Sequence, residues 1–87
     1  MTLPQDLRAR IELGIRLLDA DGLTASVVKL NAADMARARE AFRCPETGRP
    51  LCAPAYRKLP VRIAYTGKSA VLAKQPWRRA PWAVQAI

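Results

Sequence analysis

Histidine is absent from these 87 residues, which removes the commonest general acid–base group and the commonest metal ligand. Only two cysteines, Cys44 and Cys52, are present. They are too few for a tetrahedral zinc site within one chain, which leaves free thiols or a disulfide closing the loop between them. No apolar run approaches the ~20 residues a bilayer crossing requires. The N-terminus, Met-Thr-Leu-Pro-Gln-Asp, has neither the basic nor the apolar region of a secretory signal, so a cytoplasmic location is expected. Without a recognisable nucleophile–base pair, no enzymatic activity and no cofactor are expected either. Large aromatics are scarce, with two Trp, two Tyr and one Phe.

The most informative absence is of negative charge. Residues 1–46 carry seven basic groups and all seven acids, whereas residues 47–87 carry Arg49, Arg57, Lys58, Arg62, Lys68, Lys74, Arg78 and Arg79 against no acid. The net charge of +8 therefore lies wholly in the second half. Such a one-signed stretch attracts polyanions or an acidic protein surface over about 8 Å at physiological salt; the plainer reading is a basic surface that promotes solubility. Arginine outnumbers lysine eleven to four, a bias that fits a GC-rich bacterial or phage genome.

What is present reads as a small α+β domain. Leu7, Ile11, Ile15 and Leu18 recur at helical spacing behind Thr2, a candidate N-cap, and Pro4, and Asp21-Gly22 supplies a stop. The pattern predicts a helix over residues 3–20, laced on its exposed side by the i,i+4 pairs Asp6–Arg10, Arg8–Glu12 and Glu12–Arg16. Residues 25–30 predict a strand. Asn31 caps a second helix over 32–43, with Met35, Ala38 and Phe42 as its apolar stripe. Residues 44–54 hold three prolines and a glycine and read as loop. Residues 60–65 alternate, Thr66-Gly67 offers a turn, and 70–74 return as the partner strand of a hairpin. The expected architecture is two helices on one face of a short, about three-stranded, mainly antiparallel sheet in the order α-β-α-β-β. Residues 1–75 form the domain, and the Pro/Trp/Arg-containing segment 76–87 packs on it, its prolines disfavouring helix before Trp82.

Three candidate sites emerge. Tyr65-Thr-Gly-Lys-Ser69 ends like a phosphate-binding loop, but position 62 is arginine where that motif needs glycine, and an ordinary turn is the simpler reading. Trp77, Arg78, Arg79 and Trp82 combine indoles able to stack on bases with cations for phosphates; the same indoles are equally suited to completing a small core. Arg57, Lys58, Arg62, Lys68 and Lys74 form a prospective basic stripe, with the placement of Lys74 dependent on hairpin register. No helix-turn-helix, zinc-finger, RNP or KH signature accompanies them. The first expectation is a non-enzymatic protein that contacts DNA or RNA phosphates with weak sequence preference. The alternative is a protein-binding regulator, inhibitor or phage or mobile-element assembly component that docks on an acidic partner, with the Pro-Trp repeats as anchors.

Overall fold

A computed structural model describes residues 3–51, 53–75 and 82–87. Helix α1 spans Gln5–Ala20 and buries Leu7, Ile11, Gly14 and Leu18. Its N-cap is Pro4, without a side-chain cap; the expected cap Thr2 lies outside the described residues. At the other end Gly22 adopts φ 76°, and the amides of Gly22 and Leu23 bond back to the carbonyls of Asp19 and Leu18. This is the left-handed stop that Asp21-Gly22 announced. The anticipated i,i+4 pairs give way to longer reaches. Asp6 accepts from Arg37, Glu12 from Arg57, and Arg10 donates to Asp34. Each carboxylate or guanidinium thereby ties α1 to another element.

Strand β1 spans Ala25–Leu30, as its β-branched centre predicted. Asn31 then caps α2, Ala32–Ala38, its side chain accepting from the Asp34 amide at 2.7 Å. The helix tightens into a 3₁₀ turn over Arg39–Phe42, so the expected single helix to residue 43 is two short pieces. Ala38 and Phe42 are buried. Strands β2 (Ala55–Tyr56), β3 (Leu59–Ile63), β4 (Ala70–Lys74) and β5 (Trp82–Ala86) complete the fold.

The sheet has five strands in the order β2-β3-β1-β4-β5, which corrects the expected count of three; it is mixed, with three antiparallel pairings and one parallel. β3 runs parallel to β1, while β4 and β5 add antiparallel on the other side. The proposed β3–β4 hairpin does not form, because β1 lies between its two arms. Val28 and Leu30 of β1 are fully buried, and burial of that degree favours the centre of a sheet. The six-residue connection 64–69 instead passes around the end of β1. There the Ala64 amide bonds to the Leu30 carbonyl, the Asn31 amide to Ser69 Oγ, and Asn31 Nδ2 to the Gly67 carbonyl. Tyr65, which alternation over residues 60–65 would place on the same face as Val61 and Ile63, sits in that connection at 91% exposure. Residues from Trp82 onward form an edge strand rather than a helix.

Both helices cover one face of the sheet, linked to each other through Arg10–Asp34 and Asp6–Arg37. Their apolar sides pack on Val28, Leu30, Val61, Val71 and Ala73.

β2 and β3 are joined by the two-residue loop Arg57-Lys58, both at positive φ (50° and 68°). A tight hairpin of this pattern matches the right-handed strand twist, but non-glycine residues there carry strain. Lys58→Gly is expected to raise stability by about 0.5–1 kcal/mol, several degrees in Tm, in a thermal melt. An unchanged or lowered Tm would show that the turn holds no recoverable strain.

Candidate nucleic-acid interface

Alternation along the strands sends every second side chain away from the helices. On this outer face, pairing registers define three rows. Arg62 lies beside Lys29, and Lys29 beside Ala70, followed by Ala86. In the middle row Ala55 faces Pro60 on β2–β3, and Val27, Leu72 and Val84 continue it across β1, β4 and β5. At the far end Lys74 pairs with Trp82, its ammonium 5.8 Å from the indole centroid, within cation–π range. Lys58, Pro60 and Arg62 share the outer side of β3 and line a shallow groove of about 210 Å³ with Ala55.

Charge is partitioned between the layers. The five strands contain Lys29, Arg62 and Lys74 and no acid. Carboxylates on the helices are largely engaged. Glu12 accepts from Tyr56 Oη and Arg57 Nη1, each at 2.6 Å, and Glu40 lies 3.4 Å from Arg43. Burial, reinforced by the hydrogen bond to Glu12, pushes the Tyr56 hydroxyl up to about 12. The outer face thus presents cations around an apolar row: Arg62, Lys74, Pro60 and Val84 are exposed, Val27 and Lys29 half-buried, and Leu72 sheltered between Val27 and Val84.

The structure divides the expected stripe. Lys58, Arg62 and Lys74 fall on the outer face. Lys68 is exposed in the 64–69 connection. Arg57 does not join them. It points to the helix side, where Glu12 of α1 neutralises it. Trp77, Arg78 and Arg79 lie outside the described residues. Lys29 joins the outer-face cations although it belongs to the charge-neutral residues 1–46; its position between inward Val28 and Leu30 marks it as outward. Ser69, the end of the phosphate-loop-like run, is 4% exposed and donates to Asp34, so its hydroxyl serves the interior.

Other candidate chemistry is thin. Cys44 is a free thiol whose pKa is lowered by the Thr47 amide and hydroxyl; Cys52 lies outside the described residues. Among the described residues, no cluster of three His, Cys, Asp or Glu side chains is placed to hold a metal, and no helix is long and apolar enough to cross a membrane. The groove of about 410 Å³ between α1 and β3 is lined by Glu12, Arg16, Asp19 and Arg57 with Ile15 and Leu59, charges that include the Glu12–Arg57 pair. Comparison with known families, characterised proteins and solved structures finds no match to this chain.

Proposed function

We propose that this protein is a non-enzymatic binding module for nucleic acid, with weak sequence preference, and that it takes single strands on the outer face of its sheet. The observation that carries the reading is the partition of charge: the strand layer bears only cations, and these flank an apolar row with an indole at one end. Phosphates would meet Lys29, Lys58, Arg62 and Lys74, while unpaired bases would lie on Trp82, Val84 and Pro60. Stacking of this kind needs bases freed from a duplex, and it tolerates any sequence because every base has a π-face.

Titration of a labelled oligonucleotide by fluorescence anisotropy at several salt concentrations tests it. Four phosphate contacts on a single strand give a log–log salt slope of about −3. Lys29→Ala with Arg62→Ala should reduce that slope by about one or more and weaken binding roughly tenfold at low salt. Arg57→Ala, on the helix side, should leave affinity unchanged. A flat salt response, tighter binding to duplex than to single strand, or equal losses from Arg57→Ala would each sink the reading. The apolar row also suits an acidic protein partner, the reading to adopt if the chain captures such a protein after nuclease treatment and shifts no nucleic acid.

A further inference from the structure

The two edges of the sheet are unlike. At one, β2 is only two residues long, the short form that discourages pairing. At the other, β5 is five residues long and pairs regularly with β4 through Trp82-Ala-Val-Gln-Ala86, which contains no charge, no proline and no bulge. Within the described residues 82–86, neither charge, bulge nor shortness guards it.

Its free backbone groups can be assigned. The Ile87 amide bonds to the Ser69 carbonyl at 3.1 Å, so 87 and, by antiparallel alternation, 85 and 83 exchange hydrogen bonds with β4. Trp82, Val84 and Ala86 therefore turn their amides and carbonyls outward. The Trp82 and Ala86 carbonyls meet only long side-chain amide donors in the described structure, Gln75 at 3.4 Å and Gln85 at 3.3 Å. Val84 on the same edge is 65% exposed.

We infer that β5 pairs antiparallel with β5 of a second copy about a two-fold axis at Val84, joining two five-stranded sheets into one. The sequence of the strand is self-complementary in this register. Val84 meets the partner's Val84, and the bulky Trp82 meets the small Ala86 of the partner subunit, so large and small side chains alternate across the seam. Three outward-facing residues on each strand give roughly six new N–H···O=C bonds. The middle row continues unbroken, Val27–Leu72–Val84 running into its own two-fold image. Like charges do not collide, because Lys74 lies at the Trp82 end of the seam and its symmetry mate at the opposite end. A closed two-fold also uses up both copies of the exposed edge, whereas β5-to-β2 contacts would propagate.

Sedimentation of the nucleic-acid-free protein over roughly 1 μM to 1 mM tests this independently of the binding reading, since the interface is uncharged and should hold or tighten with salt. The expected result is a concentration-dependent doubling from 9.6 kDa. Val84→Lys should keep the monomer mass throughout and melt as the parent does at the dilute, monomeric end, because the side chain is exposed and only the pairing edge acquires charge. Leu13→Lys on the exposed side of α1 should dimerise as the parent does. Hydrogen exchange at the Val84 amide should slow at least tenfold between the dilute and concentrated ends. A parent chain that stays monomeric at the highest concentration overturns the inference. So does a dimer that survives Val84→Lys, or one that Leu13→Lys abolishes, because the contact then lies elsewhere.

Discussion

Replacing Asp34 by alanine is expected to lower stability by about 2–3 kcal/mol, or roughly 10–20 °C in Tm for a domain of this size. Asp34 is 6% exposed and accepts from both terminal nitrogens of Arg10 at 3.0 Å and from Ser69 Oγ. Arg10 in turn donates to the Ile87 carbonyl, at 2.9 Å through Nη2. One carboxylate therefore joins α1, α2, the start of β4 and the end of β5. Removing one member of a fully buried ion pair typically costs about 3–5 kcal/mol. The Arg10 side chain is 35% exposed and keeps some water, hence the lower figure. The same network sets an acid limb. The Arg10 guanidinium and, after it, the Ser69 hydroxyl hold the Asp34 carboxyl below its ordinary value of 3.8 against the opposing effect of burial. A depressed folded-state pKa gives stability that is complete above the unfolded value and lost as pH falls through the folded one. The parent chain should lose stability steeply below about pH 4, and Asp34→Asn should be less stable at neutral pH but shallower in acid. Some slope remains in that variant from Asp6, whose carboxyl the exposed Arg37 bond also lowers. Identical acid limbs for parent and Asp34→Asn in pH-dependent denaturant melts would refute this account.

The second large effect is expected at Gly14. A helix interior ordinarily gains about 1 kcal/mol when glycine becomes alanine. Here an added Cβ would stand 2.7 Å from Ile87 Cγ2 and 2.9 Å from Val71 Cγ2, closer than such atoms approach. Val71 is fully buried and, being β-branched, has little rotamer freedom with which to yield. Overpacking of about 1–3 kcal/mol therefore outweighs the helical gain: Gly14→Ala should be destabilising by about 1 kcal/mol, and Gly14→Leu by about 3 kcal/mol or more. A double-mutant cycle with Val71→Ala isolates the contact. Gly14→Ala should cost less once Val71 is shortened, the remainder coming from the Ile87 contact, whereas additive effects would show that the Val71 contact is not a cause.

Much of the local structure was legible in the chain. The apolar spacing of Leu7, Ile11 and Leu18 located α1 to within two residues at its start, and Asn31 caps α2 as its position indicated. Pairing was not legible. Alternation at Val61 and Ile63 with a turn at Thr66-Gly67 describes a hairpin and a connection around an intervening strand equally well; what decides is the burial of Val28 and Leu30, a property of strands more than thirty residues earlier. β5 was obscured because its outward side, Trp82 and Val84, is more apolar than its inward Ala83 and Gln85, the reverse of the usual pattern. In the candidate site, Lys58, Arg62 and Lys74 were found by charge, but Arg57 was misplaced because Glu12, its partner, precedes it by 45 positions. Counting charge by halves of the chain also hid Lys29, which the strand period alone would have turned outward.

The position of β1 has a consequence for how the protein must be assembled. This strand is encoded early, yet both of its neighbours, β3 and β4, come from residues 59–74. A nascent polypeptide thus emerges with this strand unsheltered until residues 59–74 have followed it, and closure of long-separated segments is the slow kind of folding event. The N-terminal third cannot mature ahead of the rest, so the molecule should form and come apart as a single cooperative unit.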